Sequence, residues 1–336
     1  MRKVRLGRTG LMVTKTAFGA LPIQRISFEE AAKLLRRAYE AGINFFDTAN
    51  FYTDSEAKIG NALSDVRENI VIATKSATDS KEFLLKNLDN SLKMLKTDYI
   101  DLFQFHNPAQ LPDDNLYGAV LREKEKGKIR HIGMTNHRLQ LAREAVRSGQ
   151  YETLQFPFNM LSGEEERELV EECARLDVGF IAMKAMSGGL ITSGRAAFAF
   201  LDQYPTVVPI YGVQKPEELE EFLALEADPP ELDDALRAEI EEQKKGLSGD
   251  FCRSCGYCMP CPVGIDIWQC ARISLLIGRA PYEQYLSDEW RGKMNLIESC
   301  IGCGHCKSHC PYGLDTPALL KRELGRYNEL YAKLKK

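Results

Sequence analysis

Seven polar residues fall at comparable places in a repeating apolar pattern. Asp47, Lys75, His106, Asn136, Gln155 and Lys184 stand at or near the ends of strand-like runs, and Tyr52 follows Asp47 in the next loop. Singly each has an ordinary explanation as a helix cap, a solvated cation, turn chemistry or packing. At matching positions on consecutive strands they describe one rim. An unperturbed phenol has a pKa of ~10. A lysine cation ~4 Å away in an effective dielectric of ~20 stabilises its anion by about 4 kcal/mol, or roughly three pKa units. Lys75 is therefore expected to tune Tyr52 downward as a proton donor to a carbonyl oxygen while hydride reaches the carbon. Asp47 would orient Lys75 and cancel part of that shift, and His106 would hydrogen-bond the substrate oxygen.

A second set of chemistry-bearing residues lies far along the chain. Of ten cysteines, all but Cys173 lie beyond residue 250, in C-R-S-C-G-Y-C-M-P-C-P from Cys252 and C-I-G-C-G-H-C-K-S-H-C-P from Cys300. The two runs are an internal repeat. The second has the C-x2-C-x2-C-x3-C-P spacing in which three thiolates bind one [4Fe-4S] cluster and the fourth crosses to another. That logic assigns Cys252, Cys255, Cys258 and Cys310 to one cluster and Cys300, Cys303, Cys306 and Cys261 to a second. The first run is one residue short before Cys261. Two four-cysteine zinc sites are the alternative, but zinc ribbons separate two C-x2-C pairs by a spacer and need neither triplets nor the following proline. Cys270, in I-W-Q-C-A-R-I-S-L-L-I, and Cys173 read as core residues.

The elements that must position these groups repeat one pattern. An opening hairpin is followed by strands expected at Thr16 to Gly19, Ile43 to Asp47, Ile70 to Lys75, Tyr99 to His106, His131 to Thr135, Thr153 to Phe158, Gly179 to Lys184 and Val207 to Tyr211. Amphipathic helices alternate with them, the first with Ser27 as N-cap. Eight such units in about 225 residues predict a (β/α)8 TIM barrel. An open doubly wound sheet shares the local signature, but no Gly-x-Gly-x-x-Gly turn follows a strand. Beyond helix eight, from Pro216 to about Leu225, A-D-P-P breaks the pattern. A charged helix from Glu231 to Lys245 then leads away. The expected domains are a barrel over residues 1–228, a helical spacer over 229–248, and a small, mainly helical, ferredoxin-like iron-sulfur domain over 249–336 that ends in a helix from Thr316 to Lys336.

With 44 basic and 48 acidic residues the formal charge is -4, and no run approaches the ~18 apolar residues of a membrane span. Neither nucleic acid nor membrane is an expected partner. A soluble, unexported, cytoplasmic protein with metal-binding rather than disulfide-bonded cysteines is the expectation.

Residues 1 to about 228 resemble the aldo-keto reductases, on L-G-R-T-G-L-M-V, N-F-F-D-T-A-N-F-Y-T-D-S-E-A-K-I-G, I-V-I-A-T-K, Y-I-D-L-F-Q-F-H, I-G-M-T-N, L-Q-F-P-F-N, G-G-L and P-E-E-L. The resemblance implies that the catalytic tetrad of that family falls on Asp47, Tyr52, Lys75 and His106, with Tyr52 the proton donor. It further implies NAD(P)H bound extended without a Rossmann domain, with Thr135, Asn136 and Gln155 at the nicotinamide carboxamide. Lys184, Gly212 and Lys215, at the last two strand ends, are the remaining candidates for cofactor contact. Glu218 stands where many NADP-preferring members carry arginine, which implies that NADH serves at least as well as NADPH. The tail is similar to the two-cluster ferredoxin domain that some bacterial and archaeal members carry after the barrel. Together these imply reduction of an aldehyde or ketone, or the reverse alcohol oxidation. The alternative is an electron-transfer protein, exchanging electrons with a ferredoxin or flavoprotein, in which the barrel serves as a nucleotide-binding module.

Overall fold

The computed structural model describes residues 1–247, 251–253, 255–277 and 282–334. Internal packing divides the chain into two compact units, Met1–Ala185 with Ser193–Arg237, and Met186–Thr192 with Ala238–Lys336.

The first unit opens with an antiparallel hairpin, β1 (Lys3–Arg5) and β2 (Met12–Thr14). Eight parallel strands follow: β3 (Ala17–Gly19), β4 (Phe45–Asp47), β5 (Val71–Ser76), β6 (Ile100–His106), β7 (Ile129–Thr135), β8 (Thr153–Pro157), β9 (Gly179–Met183) and β10 (Val207–Gly212). They close in chain order, β10 returning to pair with β3, so the expected TIM barrel is what forms. Its helices are α1 (Phe28–Glu40), α2 (Ser55–Leu63), α3 (Lys81–Leu95), α4 (Asp114–Glu125), α5 (Leu139–Arg147), α6 (Glu164–Arg175), α7 (Gly194–Asp202) and α8 (Pro216–Ala227). Ser27 caps α1 as expected, its hydroxyl taking the Glu30 N–H while the Glu30 carboxylate takes the Ser27 N–H.

Strands covered on both faces are buried along their length, and every residue of β4, β5 and β9 is buried, including the polar Asp47, Thr74, Lys75 and Ser76 toward their C-terminal ends. Leu6 and Val13 of the hairpin pack with Ala17, Phe45, Leu102, Ile181 and Val208 and plug the barrel at one end. That plug needs two glycines: a Cβ on Gly7, whose φ is +53°, would lie 2.1 Å from the Gly179 nitrogen. The β4 ladder begins at Phe45, not Ile43, for a local reason. The Asn44 side chain accepts from the Thr14 N–H at 2.7 Å and donates to the Met12 carbonyl at 2.9 Å, tying this stretch to the hairpin.

Helix α9 runs Asp234–Gly246, starting later than the sequence suggested, because the Asp233 carboxylate accepts the Leu236 N–H at 2.8 Å and sets the N-terminus there. The second unit is completed by short helices α10 (Ile267–Cys270), α11 (Ile273–Ile277), α12 (Asp288–Asn295) and α13 (His305–Ser308), and by α14 (Thr316–Leu334). The last two residues of the expected final helix, 335 and 336, lie outside the described residues. Ile265, Ile267, Cys270, Ile273, Met294, Leu320 and Tyr327 form its core, and the Tyr327 hydroxyl donates to the Tyr285 carbonyl at 2.8 Å. Segment Met186–Thr192 is held in this unit by Arg272, which donates to the Gly188 carbonyl at 2.8 Å, and by Gln243, whose side chain takes the Thr192 N–H at 3.3 Å. No described helix is long and apolar enough to cross a membrane.

Candidate active site and cysteine hollows

Parallel register puts the ends of β4, β5 and β6 side by side, Asp47 opposite Ala73 and Lys75 opposite Gln104. The Lys75 ammonium is fully buried, donating to Asp47 Oδ2 at 2.7 Å and to the Thr48 carbonyl at 2.6 Å. It lies 5.3 Å from the centroid of the Tyr52 ring. The Tyr52 and His106 rings meet edge to face at 6.0 Å. All four expected catalytic residues are therefore neighbours.

The protonation states depart from the tuned-phenol expectation. Desolvation, and then the Asp47 carboxylate, push the Tyr52 phenol above its ordinary value, not below it. Burial also pushes the Asp47 carboxyl up and the Lys75 ammonium down, each partly offset by the other. Lys75 was expected to lower the phenol even after Asp47 cancelled part of its effect. In the structure its charge is matched by Asp47 and it faces the ring. His106 is pushed down to about 3 by desolvation and by the Lys75 charge, so its imidazole is neutral at ordinary pH.

A polar layer continues from this group. Gln155 on β8 points its amide at Asp47 Oδ2 at 3.5 Å and accepts from Gln104 Nε2 at 2.8 Å, while the Thr135 hydroxyl lies 3.3 Å from both glutamine oxygens. Asn136 is buried, but its amide donates to the Pro108 carbonyl at 3.0 Å and its oxygen accepts the Arg138 N–H at 2.8 Å. Lys184 has a left-handed backbone with φ +61°, fixed by Asn159, whose amide donates to the Lys184 carbonyl at 2.8 Å. Gly212 ends β10, and Lys215 precedes α8, where the Glu218 carboxylate accepts the N–H groups of Gln214 at 2.8 Å and Lys215 at 3.1 Å. Nothing described links Gly212 or Lys215 to the Asp47 group.

Three residues of this layer escaped sequence reasoning. Gln104, in the middle of I-D-L-F-Q-F-H, is fully buried and joins β6 to β8. Glu56 is buried at the start of α2, accepts from the Thr74 hydroxyl at 2.6 Å, and is pushed up by desolvation. Asn107 accepts the His137 N–H at 3.1 Å. Only the polar residue inside an apolar run at Gln104 gave any signal. Two atoms of the site have no hydrogen-bond partner among the described residues, Asp47 Oδ1 and His106 Nδ1. Buried polar atoms left in this way are uncommon in folded proteins and call for an explanation, a catalytic role among them.

The cysteines form two hollows in the second unit. One, with about 360 Å³ of empty space partly open to solvent, is lined by Cys252, Cys255, Cys258 and Cys310. The other, of about 380 Å³, is lined by Cys261, Cys300, Cys303 and Cys306. Each set is the one expected from the spacing, and Cys261 reaches its set despite the shortened run. None of these cysteines is joined in a disulfide. Ile267 is common to both walls. The repeat extends to the backbone: Gly256 and Gly304, each following the second cysteine of its run, have φ of +84° and +75°, a left-handed turn that glycine adopts without strain. Cys270 lies on neither wall; it is fully buried and its thiol is pushed up to about 12 by desolvation. Among the described residues no three or more His, Cys, Asp or Glu side chains are grouped to hold one metal ion. Thiols spread around a hollow suit a cluster, whereas a single zinc needs its sulfurs ~2.3 Å from one point.

Comparison with known proteins agrees with this geometry. The oxidoreductase YqkF of Bacillus subtilis is 29% identical over 210 residues, 57% of this chain and 67% of that protein. The chain spans about two thirds or less of the length of such curated relatives. Among solved structures, the thermostable aldo-keto reductase Tm1743, in complex with the inhibitor epalrestat, is 27% identical with a TM-score of 0.63, covering 72% of this chain and all of that one. An aldo-keto reductase of Klebsiella pneumoniae in complex with NADPH shares the fold at 20% identity and a TM-score of 0.63, over 72% of this chain and 94% of that one. The 4Fe-4S dicluster domain pattern matches residues 251–315. The aldo/keto reductase family pattern matches residues 13–197, more than half of the chain, and the chain belongs to that family of oxidoreductases.

Proposed function

We propose that the barrel reduces an aldehyde or ketone with NAD(P)H, or oxidises the corresponding alcohol, with Tyr52 as the general acid. The buried Lys75–Asp47 pair against the Tyr52 ring carries this reading, since a structural barrel has no use for a desolvated cation beside a phenol. The orphaned His106 Nδ1 and Asp47 Oδ1, and the layer of Gln155, Gln104 and Thr135 beside them, fit a nicotinamide and its substrate. Bound NAD(P)H supplies the hydride.

Tyr52 holds its proton at the phenol oxygen, kept there by burial, and gives it to the oxygen of the carbonyl as negative charge develops. Neutral His106 hydrogen-bonds the same oxygen and orients it. Lys75 stabilises the phenolate left behind, and Asp47 keeps Lys75 aimed. With the cofactor bound, Thr135, Asn136 and Gln155 would hold its carboxamide, and Lys184, Gly212 and Lys215 would lie along the rest. The test is an anaerobic screen of aldehydes and ketones with both nicotinamides, comparing the unaltered protein with Tyr52→Phe. Absence of turnover with every carbonyl tried, or equal turnover in the variant, rejects the reading.

The second unit is proposed to hold two [4Fe-4S] clusters, one on Cys252, Cys255, Cys258 and Cys310, the other on Cys261, Cys300, Cys303 and Cys306. Iron and acid-labile sulfide near ~8 each per chain would support this. A second reading, electron exchange with a ferredoxin or flavoprotein partner, is favoured by the exposure of Cys303 and of Ile301, 66% exposed beside it. Cluster reduction without carbonyl turnover would favour it over the first.

A further inference from the structure

The two cysteine runs are repeats, and the residue after the first cysteine is Arg253 in one and Ile301 in the other. Their surroundings differ accordingly. Arg253 lines the hollow of Cys252, Cys255, Cys258 and Cys310, and its guanidinium is clamped between two rings, 4.7 Å from the centroid of Phe251 and 4.6 Å from that of Tyr312. The clamp restricts a long side chain that would otherwise move freely, and guanidinium stays charged at every working pH. Ile301 lines the other hollow, whose remaining lining among the described residues is cysteine, proline, aliphatic residues and glycine, with His305 the one titratable side chain there besides the thiols. Lys307 is nearby in sequence but pairs with Asp315 at 2.8 Å.

We infer that Arg253 sets the two clusters at different reduction potentials, making the one beside it the more easily reduced. This rests on the proposed presence of two clusters. Reduction adds one electron to a cluster with no bond made or broken, so a fixed cation on its wall favours the reduced form, and net charge is among the factors that set cluster potentials. An electron entering either cluster therefore settles on the Arg253 side. The shared Ile267 wall makes the two hollows adjacent, so the difference acts within one pair.

The experiment uses the full chain, reconstituted anaerobically with iron and sulfide, and follows the EPR signal through a titration with dithionite and redox mediators. The unaltered protein is expected to show two midpoints. Arg253→Gln should weaken reduction of the higher-potential cluster at least tenfold, a fall of about 59 mV for a one-electron couple, and leave the other in place. Arg253→Lys should retain most of the difference. Ile301→Arg, placing a cation at the equivalent exposed position, should raise the lower midpoint. A single shared midpoint in the unaltered protein overturns the inference, as does no shift, or an equal shift of both midpoints, in Arg253→Gln. Failure to assemble about two clusters, seen in the iron content, overturns the cluster assignment itself and is distinguishable from these.

Discussion

The Lys75 ammonium stands 5.3 Å from the Tyr52 ring centroid, yet its strong hydrogen bonds run to Asp47 Oδ2 and the Thr48 carbonyl. Lysine thus sits against the phenol while its charge is matched elsewhere, and Tyr52 is held protonated by burial and by Asp47. Tyr52→Phe is expected to lower kcat for carbonyl reduction at least ~100-fold with cofactor affinity unchanged. Because the phenol is raised, kcat/KM should not fall with pH until above the ordinary tyrosine value of ~10. A fall centred near neutrality would show that cofactor binding reverses the shift.

Removing one member of the buried pair should be costly. Lys75→Met leaves the Asp47 carboxylate buried without its cation, and about 3–5 kcal/mol of stability is expected to be lost. Lys75→Met with Asp47→Asn removes both charges and should recover much of that loss without recovering activity. Urea unfolding of the singles and the double measures the coupling. Additive losses would mean that the two charges do not interact strongly.

How far the site could be read before the fold was known depends on where each residue sits. Asp47, Lys75 and His106 were legible because a strand end marks itself, apolar residues giving way to a polar one before turn chemistry. Gln104 was not, because its bond to Gln155 reaches across β7 to β8 inside the closed barrel, and in sequence it is one polar residue in a hydrophobic run. Glu56 looked like an ordinary acidic residue in the first turn of a helix, and only packing reveals that it is buried. The direction of the Tyr52 shift failed for another reason. Proximity of a lysine and partial cancellation by Asp47 could be inferred, but not that desolvation of the phenol would dominate. The grouping of the cysteines around two hollows was legible, because the C-x2-C-x2-C-x3-C-P spacing sends the fourth cysteine of one run to the other.

His106 gives a pH signature of its own. Its folded pKa, about 3, lies below the ordinary value near 6.5, so the unfolded chain binds more protons in between. Stability from the neutral ring is present above pH ~6.5 and is lost as pH falls toward 3. His106→Gln should flatten the decline of Tm between pH ~6.5 and ~4. An unchanged slope would mean that His106 is charged in the folded protein.

Glu218 bears on the choice of nicotinamide. Its carboxylate already occupies the N-terminal end of α8 by accepting the Gln214 and Lys215 N–H groups, and a second anion there would meet both repulsion and occupied donors. The protein is therefore predicted to use NADH at least as well as NADPH. Glu218→Gln removes the charge and should shift the ratio of kcat/KM values toward NADPH about five- to tenfold, at a stability cost of about 1 kcal/mol for the weakened cap. Strong NADPH preference in the unaltered protein would contradict this.

Cys261 and Cys270 separate ligation from packing. Cys261 reaches the hollow of Cys300, Cys303 and Cys306 although its run is one residue short, whereas Cys270 lies in the core and on neither wall. Cys261→Ala should lower the iron content of the reconstituted protein and alter the EPR signal of one cluster. Cys270→Ala should leave iron and sulfide unchanged and lower stability by about 1–2 kcal/mol through the small cavity left behind. The comparison is internal, since both variants delete one thiol from the same unit. Full iron in Cys261→Ala would mean that another group completes that cluster, and iron loss in Cys270→Ala would mean that the core thiol supports assembly.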